Sequence, residues 1–141
     1  MKPGLKKLLD LVRPVFKQDR RVRLAYVFGS RAREDSGPLS DYDFAVYFGP
    51  LSPLEAFDVR TSLLEKLTRV LRSDAVDILD LDTSVNPELK FSVIKDGIMV
   101  MERDASRLIL EPRIQNEFFD FKAVLARHGL TSRKSRQRTT A

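Results

Sequence analysis

The chain has 141 residues, 43% apolar and 32% charged, with a formal net charge of +5 at neutral pH. That leaves room for one domain with a modest core, and the balance is ordinary for a soluble globular protein. The absence of cysteine excludes disulfides and thiolate metal sites. The longest apolar runs are far too short to span a bilayer and no signal-peptide pattern precedes a cleavage site, so the expectation is a cytoplasmic protein that does not enter a membrane. Four of the five net positive charges sit on Arg133, Lys134, Arg136 and Arg138, in a tail without acids. Residues 131–141 therefore read as a disordered, solubilising end, and residues 1–130 as the folded domain. The high isoelectric point is weak evidence for nucleic acid, and a direct nucleic-acid substrate is disfavoured.

In chain order, Leu5, Leu8, Leu9, Val12, Val15 and Phe16 form an i, i+3, i+4, i+7 stripe, which predicts an amphipathic helix over 6–16. Pro14 should kink it or end it early. A strand is expected over 23–28, then a short helical turn over 30–34. Asp35-Ser36-Gly37-Pro38 is a turn cluster before a second strand over 41–48. Ser52-Pro53-Leu54-Glu55 combines a capping box with proline at the first helical position. The helix it opens should run to about Arg72, with Phe57, Leu63, Leu64, Leu67, Val70 and Leu71 inward. A third strand follows over 75–81. Asn86-Pro87 caps another helix, Asp96-Gly97 stops it, and a short apolar strand covers 98–101. The last helical region should begin at Asp104 and kink near Pro112. Its Ile114, Phe118, Phe121 and Leu125 fall on one stripe, which leaves Phe119 looking away from the sheet as a candidate partner anchor. Strands alternating with helices argue α/β or α+β.

The most specific feature is Gly29-Ser30, ten residues, then Asp41-Tyr42-Asp43. Gly29 ends a predicted strand and has no Cβ to keep a ligand away from the backbone. Ser30 opens a helical turn, whose free N–H groups together with a hydroxyl suit a phosphate. Asp41 and Asp43 are two apart on the next strand, so both carboxylates share a face. Adjacent carboxylates repel unless a divalent cation lies between them. Taken singly, these residues are a helix cap and two solvated acids. Together they suggest ATP with Mg²⁺. A third acid comes from Val76-Asp77-Ile78-Leu79-Asp80-Leu81. Asp77 and Asp80 point to opposite faces because they are an odd number apart. Asp77, inside the apolar run, is the candidate, and Asp80 reads as a strand-end acid. His128 is the only histidine; before Gly129 it reads as a helix-end residue suited to the dipole rather than a general base.

Phe28-Gly29-Ser30-Arg31-Ala32-Arg33, Ser40-Asp41-Tyr42-Asp43-Phe44 and Val76-Asp77-Ile78 resemble the minimal nucleotidyltransferases of the DNA polymerase β superfamily. The whole-chain layout, over about residues 5–128, is similar to the MNT antitoxins of HEPN–MNT toxin–antitoxin modules. The resemblance implies a small mixed sheet flanked by helices. It implies transfer of AMP from ATP, with two Mg²⁺ ions held by Asp41, Asp43 and Asp77. Gly29 and Ser30 would hold the β- and γ-phosphates, with Arg31, ahead of Arg33, as the added nucleotide contact. Asp77 would also take the acceptor's proton or lower its pKa. The implied acceptor is a tyrosine hydroxyl of a cognate HEPN ribonuclease toxin. Two other readings compete: an antitoxin that inhibits by binding alone, and transfer to a small molecule or an RNA end. Glu34-Asp35 stands where many relatives have glycine, which alters the loop more than the site.

Overall fold

The computed structural model describes residues 3–35, 37 and 40–130. Nine elements follow in order: α1 (Pro3–Gln18), β1 (Leu24–Phe28), α2 (Ser30–Arg33), β2 (Tyr42–Tyr47), α3 (Pro53–Leu71), β3 (Val76–Asp80), α4 (Pro87–Asp96), β4 (Ile98–Glu102) and α5 (Arg107–Arg127). The basic tail, residues 131–141, lies outside the described residues, as do Ser36 and Pro38 of the turn cluster. The four strands form one sheet in the order β3-β2-β1-β4. β1 is antiparallel to both β2 and β4, while β2 and β3 run parallel, so the sheet is mixed. Among the described residues no helix is long and apolar enough to cross a membrane.

Strand alternation divides the core into two layers. Ala25, Val27, Phe44, Val46 and Ile78 face α1 and α3. Leu24, Tyr26, Ala45, Leu79 and Leu81 face α4 and α5. The α1 stripe is buried at all six expected positions. Pro14 lies inside that helix without ending it. On α3 the phase differs from expectation: Val59, Leu63 and Leu67 are buried, while Phe57 is 68% exposed. Four-residue steps advance only about 40° round a helix, so Val59 continues the Leu63–Leu67 line and Phe57 falls off it. The capping box holds this helix start: Glu55 N–H donates to Ser52 Oγ at 3.2 Å, and Ser52 N–H donates to Glu55 Oε1 at 3.1 Å. Asn86 Oδ1 accepts from Leu89 N–H at 3.1 Å and starts α4 in the same way.

α5 departs further from its reading. It starts at Arg107, because Asp104 and Ala105 both take left-handed backbone conformations (φ 58° and 52°), and Glu102 accepts from the Arg107 N–H at 2.9 Å. Pro112 lies within a continuous helix. Only Leu110 and Ile114 are buried on it. Phe118 and Phe121 are half-buried rather than core, since by that point α5 packs chiefly on α4. There Phe118 stacks on Phe91, ring centres 4.0 Å apart and 6° from parallel. Beside them Lys90, 4% exposed, pairs with Glu117 at 2.7 Å, which supplies the partner a buried ammonium needs.

Candidate active site

The turn from β1 into α2 is built on Gly29. Its φ is +73°, a backbone conformation that side-chain-bearing residues rarely adopt. A Cβ there would stand 2.6 Å from Asp43 Oδ2. Gly29 thus makes room for a carboxylate as well as for a ligand. α2 is a single turn, one residue shorter than expected: Glu34 closes it in the left-handed region, and its N–H and that of Asp35 both bond the Ser30 carbonyl. The Ser30 hydroxyl has no hydrogen-bond partner among the described residues.

Three acids approach this turn. Parallel pairing of β2 with β3 sets Asp43 directly beside Asp77. Asp41 precedes β2 by one residue and Asp43 by two, so strand alternation brings it towards the same side. The Asp43 carboxyl is pushed above its ordinary pKa by burial first, then by the negative charges of Asp77 and Asp41, while Arg33 opposes the shift. Asp80 is on the opposite face of β3, and its Oδ1 accepts from the N–H groups of Asp82 (2.8 Å) and Thr83 (3.3 Å) to close the following turn. The choice of Asp77 over Asp80 therefore follows the register of the sheet.

The side chains are splayed. Asp77 Oδ1 lies 3.8 Å from Arg60 Nη2 of α3, and among the described residues no three acids close on a common point as a metal cage. The donor set itself suits Mg²⁺: three carboxylates, hard oxygen ligands, whose mutual repulsion a divalent cation would relieve.

Arg31 requires a correction. Its guanidinium lies over the Tyr42 ring at 4.0 Å and donates through Nη2 to the Ser40 carbonyl at 2.8 Å. Tyr42 belongs to the α1/α3 layer, the side of the sheet away from the acids. Arg33 instead bears on Asp43 and borders a hollow with Phe28 and Gly29. The signal was available in the sequence. Residues two apart on a helical turn differ by about 200°, so only one of the two arginines can face the acids. Arg60 had no such signal, because nothing local to α3 reveals what passes the β3 edge. The hollow against α4, with Leu89, Ser92 and Asp96 on its wall, was also missed. His128 sits at the C-cap of α5, as the helix-end reading expects.

A family model described as "Polymerase beta, Nucleotidyltransferase" matches residues 11–106. The chain belongs to this nucleotidyltransferase family. It is 28% identical over 97 residues to "Putative protein adenylyltransferase MJ1217" of Methanocaldococcus jannaschii, an alignment spanning 68% of this chain and 94% of that protein. Two solved structures share its fold. One is a chain of a toxin–antitoxin crystallised with AMP-PNP, with TM-score 0.66, 23% identity, and coverage of 87% of this chain and 93% of the other. The other is a chain of the tri-AMPylated Shewanella oneidensis HEPN toxin in complex with MNT antitoxin, with TM-score 0.59, 22% identity, and coverage of 87% and 90%. The mixed sheet and flanking helices expected from sequence are the fold these proteins share.

Proposed function

We propose that this chain is a Mg²⁺-dependent protein adenylyltransferase that acts as an antitoxin, moving AMP from ATP to a tyrosine hydroxyl of a cognate HEPN toxin. The observation that carries the chemistry is the Asp43–Asp77 pairing beside the Gly29–Ser30 turn. Support for a protein acceptor comes from the name of the M. jannaschii relative, and support for the partner from the toxin–antitoxin structures with the same fold.

In this reading Ser30 Oγ and the open N–H groups of α2 orient the β- and γ-phosphates, with Arg33 as the nearby planar donor. Asp41, Asp43 and Asp77 would hold Mg²⁺, which would neutralise phosphate charge and stabilise the entering and leaving oxygens. Asp77 accepts the proton of the acceptor hydroxyl. The hydroxyl oxygen forms a bond to the α-phosphorus, the bond from that phosphorus to the bridging α–β oxygen breaks, and pyrophosphate leaves. Gly29 keeps the backbone clear of both Asp43 and the nucleotide.

The test is label transfer to the partner. Label should pass from α-labelled ATP and none from γ-labelled ATP; label arriving from the γ position would mean phosphoryl transfer and end this mechanism. One observation favours the second reading, inhibition by binding alone. Phe119 is 59% exposed on α5 and edge-on to both Phe91 and Phe118, a ready anchor for a protein surface. A complex that forms and silences the toxin without nucleotide would select that reading.

A further inference from the structure

A cleft of about 630 Å³ opens between α1 and α3, on the face of the sheet away from the acids. Pockets for small molecules run to ~300–1,000 Å³, so one fits here. Leu5, Leu8 and Leu11 of α1 form one wall, Val70 and Leu71 of α3 another, and Tyr42 of β2 also lines it. Leu11 is 43% exposed and Val70 37%. Apolar side chains left to water on two helices of one cleft gain from whatever covers them. The charges on the cleft are mostly of one sign: Lys7, Arg31 and Arg72 against Glu34 alone. The first turn of α1 reaches the same cleft through Pro3 and Gly4 and carries no acid, so the helix dipole adds to the positive potential. Arg31 spends Nη2 on the Ser40 carbonyl at 2.8 Å, while its Nε is buried with no hydrogen-bond partner among the described residues. A buried donor left unpaired is costly and rare, and an anion held against the guanidinium offsets that cost.

Apolar walls and cationic surroundings together fit an amphipathic anion. We infer that this cleft is a second ligand site, apart from the acids, and that it takes a small carboxylate carrying a medium-length acyl chain. The chain lies along Leu8, Leu11 and Val70, and the carboxylate answers the charge of Lys7, Arg31 and Arg72. A neutral or cationic apolar molecule would cover the walls and leave those cations unanswered. A polyphosphate would match the charge and leave the leucines wet. Arg31 follows Ser30 and Tyr42 lies between Asp41 and Asp43, so the cleft backs onto the segments that carry the candidate active site. Binding in the cleft needs no nucleotide and is independent of the nucleotidyl-transfer reading.

The test is calorimetric titration of the full chain with hexanoate, octanoate and decanoate, compared with octanol, octylamine and inorganic tripolyphosphate. Affinity should rise about three- to fourfold per added CH₂, the scale of burying a methylene. Octanol and octylamine should bind roughly tenfold more weakly than octanoate, the scale of one hydrogen bond to a charged group. The Lys7→Glu/Arg72→Glu double variant should weaken octanoate by about the same factor or more. Leu11→Gln should weaken decanoate more than hexanoate, and both variants should melt near the wild-type temperature. A wild type that binds none of the acids would overturn the inference. So would affinity independent of chain length, which describes a bare anion site, or octanol and octylamine binding as tightly as octanoate, which describes an unselective apolar surface. Displacement of octanoate by tripolyphosphate would assign the cleft to phosphates and overturn it as well. Unchanged affinities in the folded double variant and in Leu11→Gln would place the carboxylate elsewhere on the molecule.

Discussion

At the residue scale, three residues, Gly29, Arg31 and Arg33, shape the candidate site. Gly29 combines a positive φ with a Cβ position 2.6 Å from Asp43 Oδ2. Gly29→Ala should cost about 1–3 kcal/mol of stability from backbone strain and should depress label transfer further by displacing Asp43. Paired denaturation and transfer measurements on the variant check this; transfer at the wild-type rate would show that the carboxylate position is unimportant. Arg31 and Arg33 separate stability from function. Arg31→Ala should lose about 1–2 kcal/mol, from the Tyr42 stack and the Ser40 hydrogen bond, with nucleotide affinity retained. Arg33→Ala should do the reverse, and calorimetric titration of ATP with both variants distinguishes them. The spacing of Gly29, Ser30, Asp41 and Asp43 is visible in the sequence, with the first two at one turn and the acids two apart at the start of β2. Asp77 was legible by parity within its strand. Arg31 adjoins Ser30 in sequence, but the rotation of a helical turn carries its guanidinium over Tyr42.

At the element scale, legibility tracked how much of an element's periodicity the core uses. α1 buries every stripe residue, and it was read correctly at all six. α3 and α5 each expose part of their apolar content, so their composition misled. On α3 the decisive residue was Val59, which small size made less conspicuous than Phe57. On α5 the stripe continues past the point where burial ends, which composition cannot reveal. Phe118 and Phe119 therefore make opposite predictions. Phe118→Ala removes a ring stacked at 4.0 Å on Phe91 and should destabilise the chain by about 2 kcal/mol, less than the ~3–5 kcal/mol of a fully buried Phe. Phe119→Ala should leave thermal stability within about 0.5 kcal/mol and weaken partner binding by ~2 kcal/mol or more. Melting curves and partner titrations of both variants form the test; unchanged partner affinity in Phe119→Ala would place the interface elsewhere.

For the whole molecule, strand alternation with helices was enough to set the class, but strand directions were not derivable from periodicity. The parallel β2/β3 pairing, which places Asp43 beside Asp77, depends on α3 crossing between the strands, and the resemblance rather than the pattern implied it. The segment entering β1 is tied to α3 by Asp19, Arg21 and Asp58: Arg21 donates to Asp19 Oδ2 at 2.8 Å and to Asp58 Oδ2 at 3.0 Å. The Arg21 hydrogen bond holds the Asp19 carboxyl below its ordinary range. A carboxyl with a lowered folded pKa adds stability above its unfolded value, about 3.9, and loses it as pH falls through the folded value. Asp19→Asn should therefore be less stable than wild type at pH 6, and the difference should shrink steadily below about pH 4. Urea midpoints across that range check it, and a gap that stays constant with pH would remove the charge from the explanation.

The central claim is that carboxylates on two parallel strands, beside a glycine turn, transfer a nucleotidyl group. The most direct measurement is transfer of α-label from ATP, with Mg²⁺, to the cognate partner by wild type and by the Asp41→Asn/Asp43→Asn double variant, with the fold of both verified by circular dichroism. Neutral amides keep the shape of the site but lose the charge that would hold the metals. The account predicts label transfer by the wild type and none above background by a folded double variant. Full transfer by that variant would contradict it.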